Sequence, residues 1–184
     1  MQVALCVLCT GAHADDGLSA RIEAAVPEDF SGQVVVGNAE GILYSGSFGL
    51  ADREKAEPVT PDTLFDIGSV TKTFTATAVL KLTADDKLDL DQTLADWFDG
   101  LPESTGAITL HQLLTHTSGL PLYSGDDDAP CDRACFDAWL LATTPAFAPG
   151  ERFDYSNPGY SALARIVEKA SGTDYESYLD EALL

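Results

Sequence analysis

Positive charge is scarce in this chain: ten lysines and arginines stand against thirty aspartates and glutamates, a formal charge of −20 over 184 residues. A surface so acidic repels phosphate backbones and anionic headgroups, which argues against nucleic acid or an anionic membrane as partner. The surplus speaks to solubility, and to tolerance of high salt where screening relieves self-repulsion, more than to chemistry. No apolar stretch approaches the roughly 18 residues needed to cross a bilayer, so no membrane span is expected. No internal repeat is apparent. Cysteine is limited to four residues. No histidine stands near Cys131 or Cys135 in sequence, so that pair does not complete a zinc site, and neither a metal nor an organic cofactor is implied.

The N-terminus also lacks Lys or Arg ahead of its short apolar run, Val3 to Leu8. That run is nonetheless followed by Ala12, His13 and Ala14, the small-x-small pattern of a secretory cleavage site. Residues 1–14 therefore read as a signal peptide, either atypical in form or recorded from downstream of its real start, with Asp15 first in a mature chain bound for the periplasm or the exterior. Cys6 and Cys9 would leave with it. In an exported chain the remaining pair, Cys131 and Cys135, reads as a disulfide closing a very short loop.

What is present is enough for a core: 45% of residues are hydrophobic, as in one ordinary domain. Leu18, Ile22, Ala25 and Val26 predict a first amphipathic helix, and Gln33–Gly37 and Ile42–Phe48 predict two strands joined through a turn at Asn38 to Gly41. Arg53 to Pro61 is polar and reads as an extended connection. Downstream the pattern is helical. Leu94, Trp97 and Phe98 mark one short helix, and Thr109 to Leu114 a second with capping-box spacing at Thr109 and Gln112. Phe136, Trp139 and Leu140 mark a third; Tyr160, Leu163, Ile166 and Val167 mark a fourth ending at Gly172. Thr173 and Glu176 repeat the box spacing and open a last helix running to Leu184, while Ser124 to Cys131 is acidic and turn-rich, an exposed loop. Strands followed by helices argue an α+β fold. Two strands, however, are too few for a well-supported sheet.

The chemistry-bearing pattern is FDIGSVTKTF, Phe65 to Phe74. Ser69 and Lys72 lie three apart, which on a helix puts both side chains on one face. The apolar run Val70, Phe74, Ala78, Val79 and Leu82 predicts a buried helix from about Ser69 to Thr83, and Gly68 suits a sharp turn into it. A serine hydroxyl must lose its proton as it attacks a carbonyl, and a lysine can take that proton only when uncharged. Desolvation and a place on the first helical turn both push a lysine toward the uncharged form, and the helix N-terminus offers N–H groups to a developing oxyanion. Taken alone, the same four residues read more readily as a serine cap with a surface lysine. A second polar cluster, FDYSNPGYS, puts Tyr155 and Asn157 two apart before a proline suited to a first helical turn. In an extended segment both would face one way, Tyr155 as acid or base and Asn157 as donor to Lys72 or to a substrate amide. The plainer alternative is a packed tyrosine and a turn-forming asparagine.

In order along the chain, SVTK at Ser69, LLTHTSGL from Leu113 to Leu120 and YSN at Tyr155 resemble the serine β-lactamase and penicillin-binding-protein superfamily, in particular its class C-like branch. GSFGLADRE, Gly46 to Glu54, resembles the strand and loop before the nucleophile in that family. The resemblance covers about residues 17–184. It implies a β-lactamase/transpeptidase-like α+β fold with Ser69 as acylated nucleophile, Lys72 and Tyr155 jointly as proton partners and Asn157 as substrate-binding residue. The substrates implied are small molecules or short peptides: β-lactams, D-amino-acid peptides or small esters.

One family element has no counterpart, a KTG or HxG strand lining the cleft; Lys72-Thr73-Phe74 belongs to the nucleophile helix instead. The resemblance therefore implies an incomplete domain over residues 15–184, sheet-contributing to about residue 68 and helical from about 69, with its C-terminal strands absent and turnover impaired. The competing reading is a non-catalytic binding module or inactive fragment that keeps the cleft residues. A triad of Ser69 with His111 or His116 and an aspartate is a third. His111 falls in a capped helix and His116 in a tight turn, where packing or a backbone hydrogen bond is the commoner role.

Overall fold

The computed structural model describes residues 17–125 and 131–184. The signal-peptide reading, with Cys6, Cys9 and Asp15, lies outside them, as do residues 126–130 of the acidic loop. The chain divides into two compact units, one ending at Asp66 and the other beginning at Ile67.

In the first unit, helix α1 (Leu18–Ala25) has no buried residue. Strands β1 (Gly32–Asn38) and β2 (Gly41–Phe48) form an antiparallel hairpin in which Gly32 faces Phe48 and Asn38 faces Gly41. Asn38 explains the turn, because its Oδ1 accepts from the N–H groups of Glu40 and Gly41 at 2.9 and 3.1 Å. Tyr44 and Val59 are the buried apolar residues among those described in this unit. The segment expected to be a plain connection instead folds back as a small ribbon, β3 (Leu50–Asp52) against β4 (Glu57–Pro58). Its turn is closed by Asp52, whose Oδ1 accepts from the N–H groups of Glu54 and Lys55 and whose Oδ2 pairs with Lys55 at 2.8 Å. Among the described residues each sheet has two strands.

The second unit is helical, giving the expected α+β order of strands and then helices. Helix α2 (Thr71–Ala84) is preceded by a 3-10 turn over Gly68–Val70, so Ser69 stands on the turn and not on the α-helix proper. Val70 is correspondingly half exposed, contrary to the buried place its apolar character suggested; the inward face is Thr75, Ala78, Val79 and Leu82. A short helix α3 (Glu103–Gly106) was not legible in the sequence, having too few residues to carry a period. Helix α4 (Leu110–Leu114) opens with the expected capping box, Gln112 N–H to Thr109 Oγ1 and Thr109 N–H to Gln112 Oε1.

Helices α5 (Arg133–Ala142), α6 (Asn157–Ser171) and α7 (Tyr175–Ala182) complete the unit. Helix α6 is its axis. Ala162, Leu163, Ile166 and Val167 fall at helical spacing, are fully buried, and pack in one core with Val79, Leu82, Leu110, Leu113, Leu140 and Tyr178. Removing a leucine or isoleucine side chain of this kind from water stabilises by about 1.5–3 kcal/mol. Ser156 caps α6, Pro158 occupies its first turn, and Gly172 closes it with φ +79. Helix α7 is capped by Asp174, which accepts from Ser177 N–H at 3.0 Å, and not by the expected Thr173 and Glu176 pair; Thr173 is occupied instead with Ser171.

A polar seam ties α5, α6 and α7 together. Arg165 forms a two-pronged pair with Asp137 at 3.1 and 2.9 Å and also meets Glu168. Glu168 accepts from Arg133 Nε at 2.9 Å and from the Tyr175 backbone N–H at 3.2 Å, and its side chain is only 10% exposed. Cys131 and Cys135 are joined by a disulfide, with Cα atoms 5.3 Å apart, at the start of α5.

Candidate active site

The second unit gathers four side chains from two distant stretches of sequence. Gly68 adopts φ +52, a left-handed conformation that a residue with a Cβ rarely takes, and this turns the chain sharply into Ser69. Ser69 is exposed, with Lys72 half-buried one turn further on. Lys72 Nζ donates to Ser69 Oγ at 3.1 Å and to Asn157 Oδ1 at 2.8 Å. The Tyr155 hydroxyl lies 3.0 Å from the same Ser69 Oγ. Ser69, Lys72, Tyr155 and Asn157 are thus in one hydrogen-bonded cluster. Asn157 accepts from Lys72, where the sequence reading has it as a donor, which leaves its amide nitrogen as the group able to donate outward.

The Tyr155 and Asn157 side chains are held by the backbone between them. Ser156 is 1% exposed; its Oγ donates to the Pro121 carbonyl at 2.9 Å and accepts from Gly159 N–H at 3.1 Å. Asn157 N–H donates to the Leu122 carbonyl at 3.1 Å. Asp154 N–H donates to the His116 carbonyl at 2.8 Å, and Ser156 N–H to His116 Nδ1 at 3.1 Å. The segment is therefore fastened to the 116–122 loop on both sides of Tyr155. Its extended course at Ser156, φ −132 and ψ 118, carries the two neighbouring side chains toward the same group, Lys72.

Aromatic rings surround the lysine. Lys72 Nζ is 5.0 Å from the Tyr155 ring centroid and 5.7 Å from that of Tyr160, where a cation gains from the ring quadrupoles. Tyr160 is itself fixed by a 3.0 Å bond from its hydroxyl to the Leu114 carbonyl. The Tyr155 hydroxyl is held below its ordinary pKa of about 10: burial acts to raise it, but hydrogen bonding with Ser69 and Lys72 and the lysine charge together outweigh burial. Tyr160 is raised, by burial first and then by its neighbour Tyr155. Two acid–base groups thus converge on one hydroxyl. A serine so placed can be deprotonated as it attacks, and the proton can be returned to a leaving group.

Neither histidine bonds to Ser69 among the described residues. His111 lies exposed on α4, while His116 stacks on Tyr155 with ring centroids 4.2 Å apart. The sequence offered His116 only as a triad member or a packed turn residue and Tyr160 only as a marker of its helix; the structure sets His116 against Tyr155 and Tyr160 beside Lys72. LLTHTSGL marked the histidine as part of a pattern, but no spacing rule places a turn residue under a tyrosine 39 positions away; Tyr160 carried the weaker signal of lying in the first turns of the helix that Asn157 begins. Cys131 and Cys135 sit apart from this cluster in the chain, at the start of α5. Among the described residues no group of three or more His, Cys, Asp or Glu side chains is arranged to hold a metal ion, and no helix is long and apolar enough to cross a membrane.

A family model described as Beta-lactamase matches residues 20–184. The chain is 33% identical to penicillin-binding protein 4* of Bacillus subtilis, a match covering 84% of this chain and 36% of that protein. It is 35% identical to the esterase EstB of Burkholderia gladioli, over 89% of this chain and 48% of the relative. Among solved structures, a class C β-lactamase superposes with a TM-score of 0.73 at 32% identity, covering 93% of this chain and 46% of that one. The chain thus spans about a third to a half of the length of these proteins.

Proposed function

Since the chain belongs to the Beta-lactamase family, we propose that it is the nucleophile-bearing part of a serine hydrolase that works through an acyl-enzyme. The observation that carries this reading is the convergence of Lys72 Nζ and the Tyr155 hydroxyl on Ser69 Oγ, at 3.1 and 3.0 Å. Ser69 Oγ attacks the substrate carbonyl carbon while its proton passes to the Tyr155–Lys72 pair. The tetrahedral intermediate collapses, the bond to the leaving group breaks, and the same pair returns the proton to it. Water then attacks the Ser69 ester and releases the acid. The Ser69 backbone N–H, at the head of the 3-10 turn, serves the oxyanion. The Asn157 amide holds the substrate while its Oδ1 keeps Lys72 in place.

The substrate class is a small acyl compound: a β-lactam, a D-amino-acid peptide or a small carboxylic ester. The relatives, a penicillin-binding protein and an esterase by sequence and a class C β-lactamase by structure, support that range without choosing within it. The Cys131–Cys135 bridge favours an oxidising compartment, in line with a periplasmic or secreted protein.

The test is covalent labelling with a fluorescent penicillin and with a fluorophosphonate, on the wild type and on Ser69→Ala. Labelling of the wild type alone is expected. If neither reagent labels the wild type, the alternative of a non-catalytic binding module gains; labelling that survives the substitution removes Ser69 from the chemistry.

A further inference from the structure

His116 holds an unusual position for a residue outside the hydrogen bonds of the serine. Its φ is +56, in the left-handed region that residues with a Cβ seldom occupy and that persists only where the surroundings impose it. The surroundings here are the segment carrying Tyr155. The His116 carbonyl accepts from Asp154 N–H at 2.8 Å and its Nδ1 accepts from Ser156 N–H at 3.1 Å, so one residue grips the backbone immediately before and after the tyrosine. Its ring then lies against the ring between those two bonds, centroids 4.2 Å apart and planes 28° from parallel. Tyr160 and Phe153 flank the imidazole, with centroids at 5.0 and 5.8 Å.

From this geometry, and resting on the serine-hydrolase reading above, we propose that His116 is a positioning residue: in its neutral form it aims the Tyr155 hydroxyl at Ser69 Oγ. Three constraints act on a side chain that otherwise rotates freely, namely two backbone bonds that fix the Cα of Tyr155 and a ring face that fixes its plane. The Nδ1 bond requires an unprotonated nitrogen, because a protonated one has no lone pair to offer. The titratable groups around the imidazole are Lys72 from α2, Asp154 and Tyr155 from the gripped segment and Tyr160 from α6. Burial, and secondarily the Lys72 charge, keep His116 below its ordinary value of about 6.5, so the neutral form persists into mildly acid solution. Protonation at lower pH breaks the bond to Ser156 and sets a second cation beside Lys72.

His116→Asn and His116→Gly separate the parts of this claim. Asparagine tolerates positive φ and offers Oδ1 where Nδ1 stood, yet does not titrate. Glycine relieves the backbone and offers no acceptor. Fluorophosphonate labelling of Ser69 in the wild type should fall on the acid side with the midpoint of the His116 imidazole, read independently by NMR. His116→Gly should lose about 10- to 100-fold in labelling rate at every pH, the cost of a misaimed group. His116→Asn should recover most of that loss and lack the acid limb. The Ser156 amide shift should titrate with His116 in the wild type and stay flat in His116→Asn, while the ring-current shift of Tyr155 shrinks in both variants. A folded His116→Gly that labels at the wild-type rate with the wild-type pH profile overturns the proposal, as does a Ser156 amide indifferent to His116 titration. If no form labels at any pH, the serine-hydrolase reading fails, and the Ser156 and Tyr155 signals still decide whether His116 holds the segment.

Discussion

The Lys72 ammonium and the Asn157 side-chain carbonyl meet at 2.8 Å across 85 residues of sequence, joining the first turn of α2 to the first residue of α6. This contact makes the nucleophile's environment a property of helix packing and not of the Ser69 segment alone. Replacing Asn157 with alanine should leave Lys72 free to rotate away from Ser69. The expected result is a loss of about 10- to 100-fold in Ser69 labelling with a stability loss of only about 1 kcal/mol, read by stopped reactions and urea unfolding. An equal fall in labelling and in folded fraction would make the contact merely structural.

Tyr155→Phe keeps the stacked ring and removes the hydroxyl 3.0 Å from Ser69. Labelling should fall by about 10²- to 10⁴-fold, the usual weight of one proton-transfer group. Because the phenol is held below its ordinary value, ultraviolet titration of the wild type should show one tyrosine ionising ahead of the rest. That early step should vanish in Tyr155→Phe, and in the wild type labelling should rise with pH through the same step.

Glu168 is the acidic centre of the seam between α5, α6 and α7. Its carboxyl is held below the usual range, first by the hydrogen bonds from Arg133 and then, against the opposing effect of burial, by Arg165 and the Tyr175 N–H. A lowered folded value means stability that is present above the unfolded carboxylate value and is lost as pH falls through the folded one. Glu168→Gln should cost about 1.5–3 kcal/mol near neutral pH, and its unfolding midpoint should depend less on pH on the acid side than that of the wild type.

The disulfide closes a loop with a sequence separation of 4 residues. A loop that short removes little disorder from the unfolded chain, about 2 kcal/mol by the loop-entropy relation. Reduction, or a Cys131→Ser, Cys135→Ser double variant, should lower the unfolding free energy by no more than about that amount and leave the α6 core intact by circular dichroism.

Much of this architecture could be read from local signals. The hairpin was legible because Asn38 and Gly41 supply its turn, and α6 because Ser156, Pro158 and Gly172 mark both ends. The spacing of Ser69 and Lys72 put them within reach of each other, but it took LLTHTSGL and YSN further along the chain to make that spacing legible as a nucleophile. What escaped were relationships that spacing does not encode. The ribbon β3–β4 depends on one aspartate closing its own turn, in a stretch whose polarity reads as loop. Glu168, Arg165 and Arg133 look in sequence like charges on a solvated helix face, and only packing reveals that Glu168 is 10% exposed. His116 could be placed in a tight turn, but its partner ring is chosen by how α4 and α6 lie together.

Ser156 stands between the two functional side chains of its segment without bonding to Ser69 or Lys72, and its buried hydroxyl bonds both to Pro121 and to the first turn of α6. This separation has a practical meaning for laboratory evolution of new specificity. The exposed residues beside the pinned segment, Leu122 and Tyr123, are 44% and 47% accessible and can be randomised while the fastening that aims Tyr155 and Asn157 is kept. Libraries that include Ser156 would scramble aim and preference together, whereas libraries that spare it would vary preference on a constant frame.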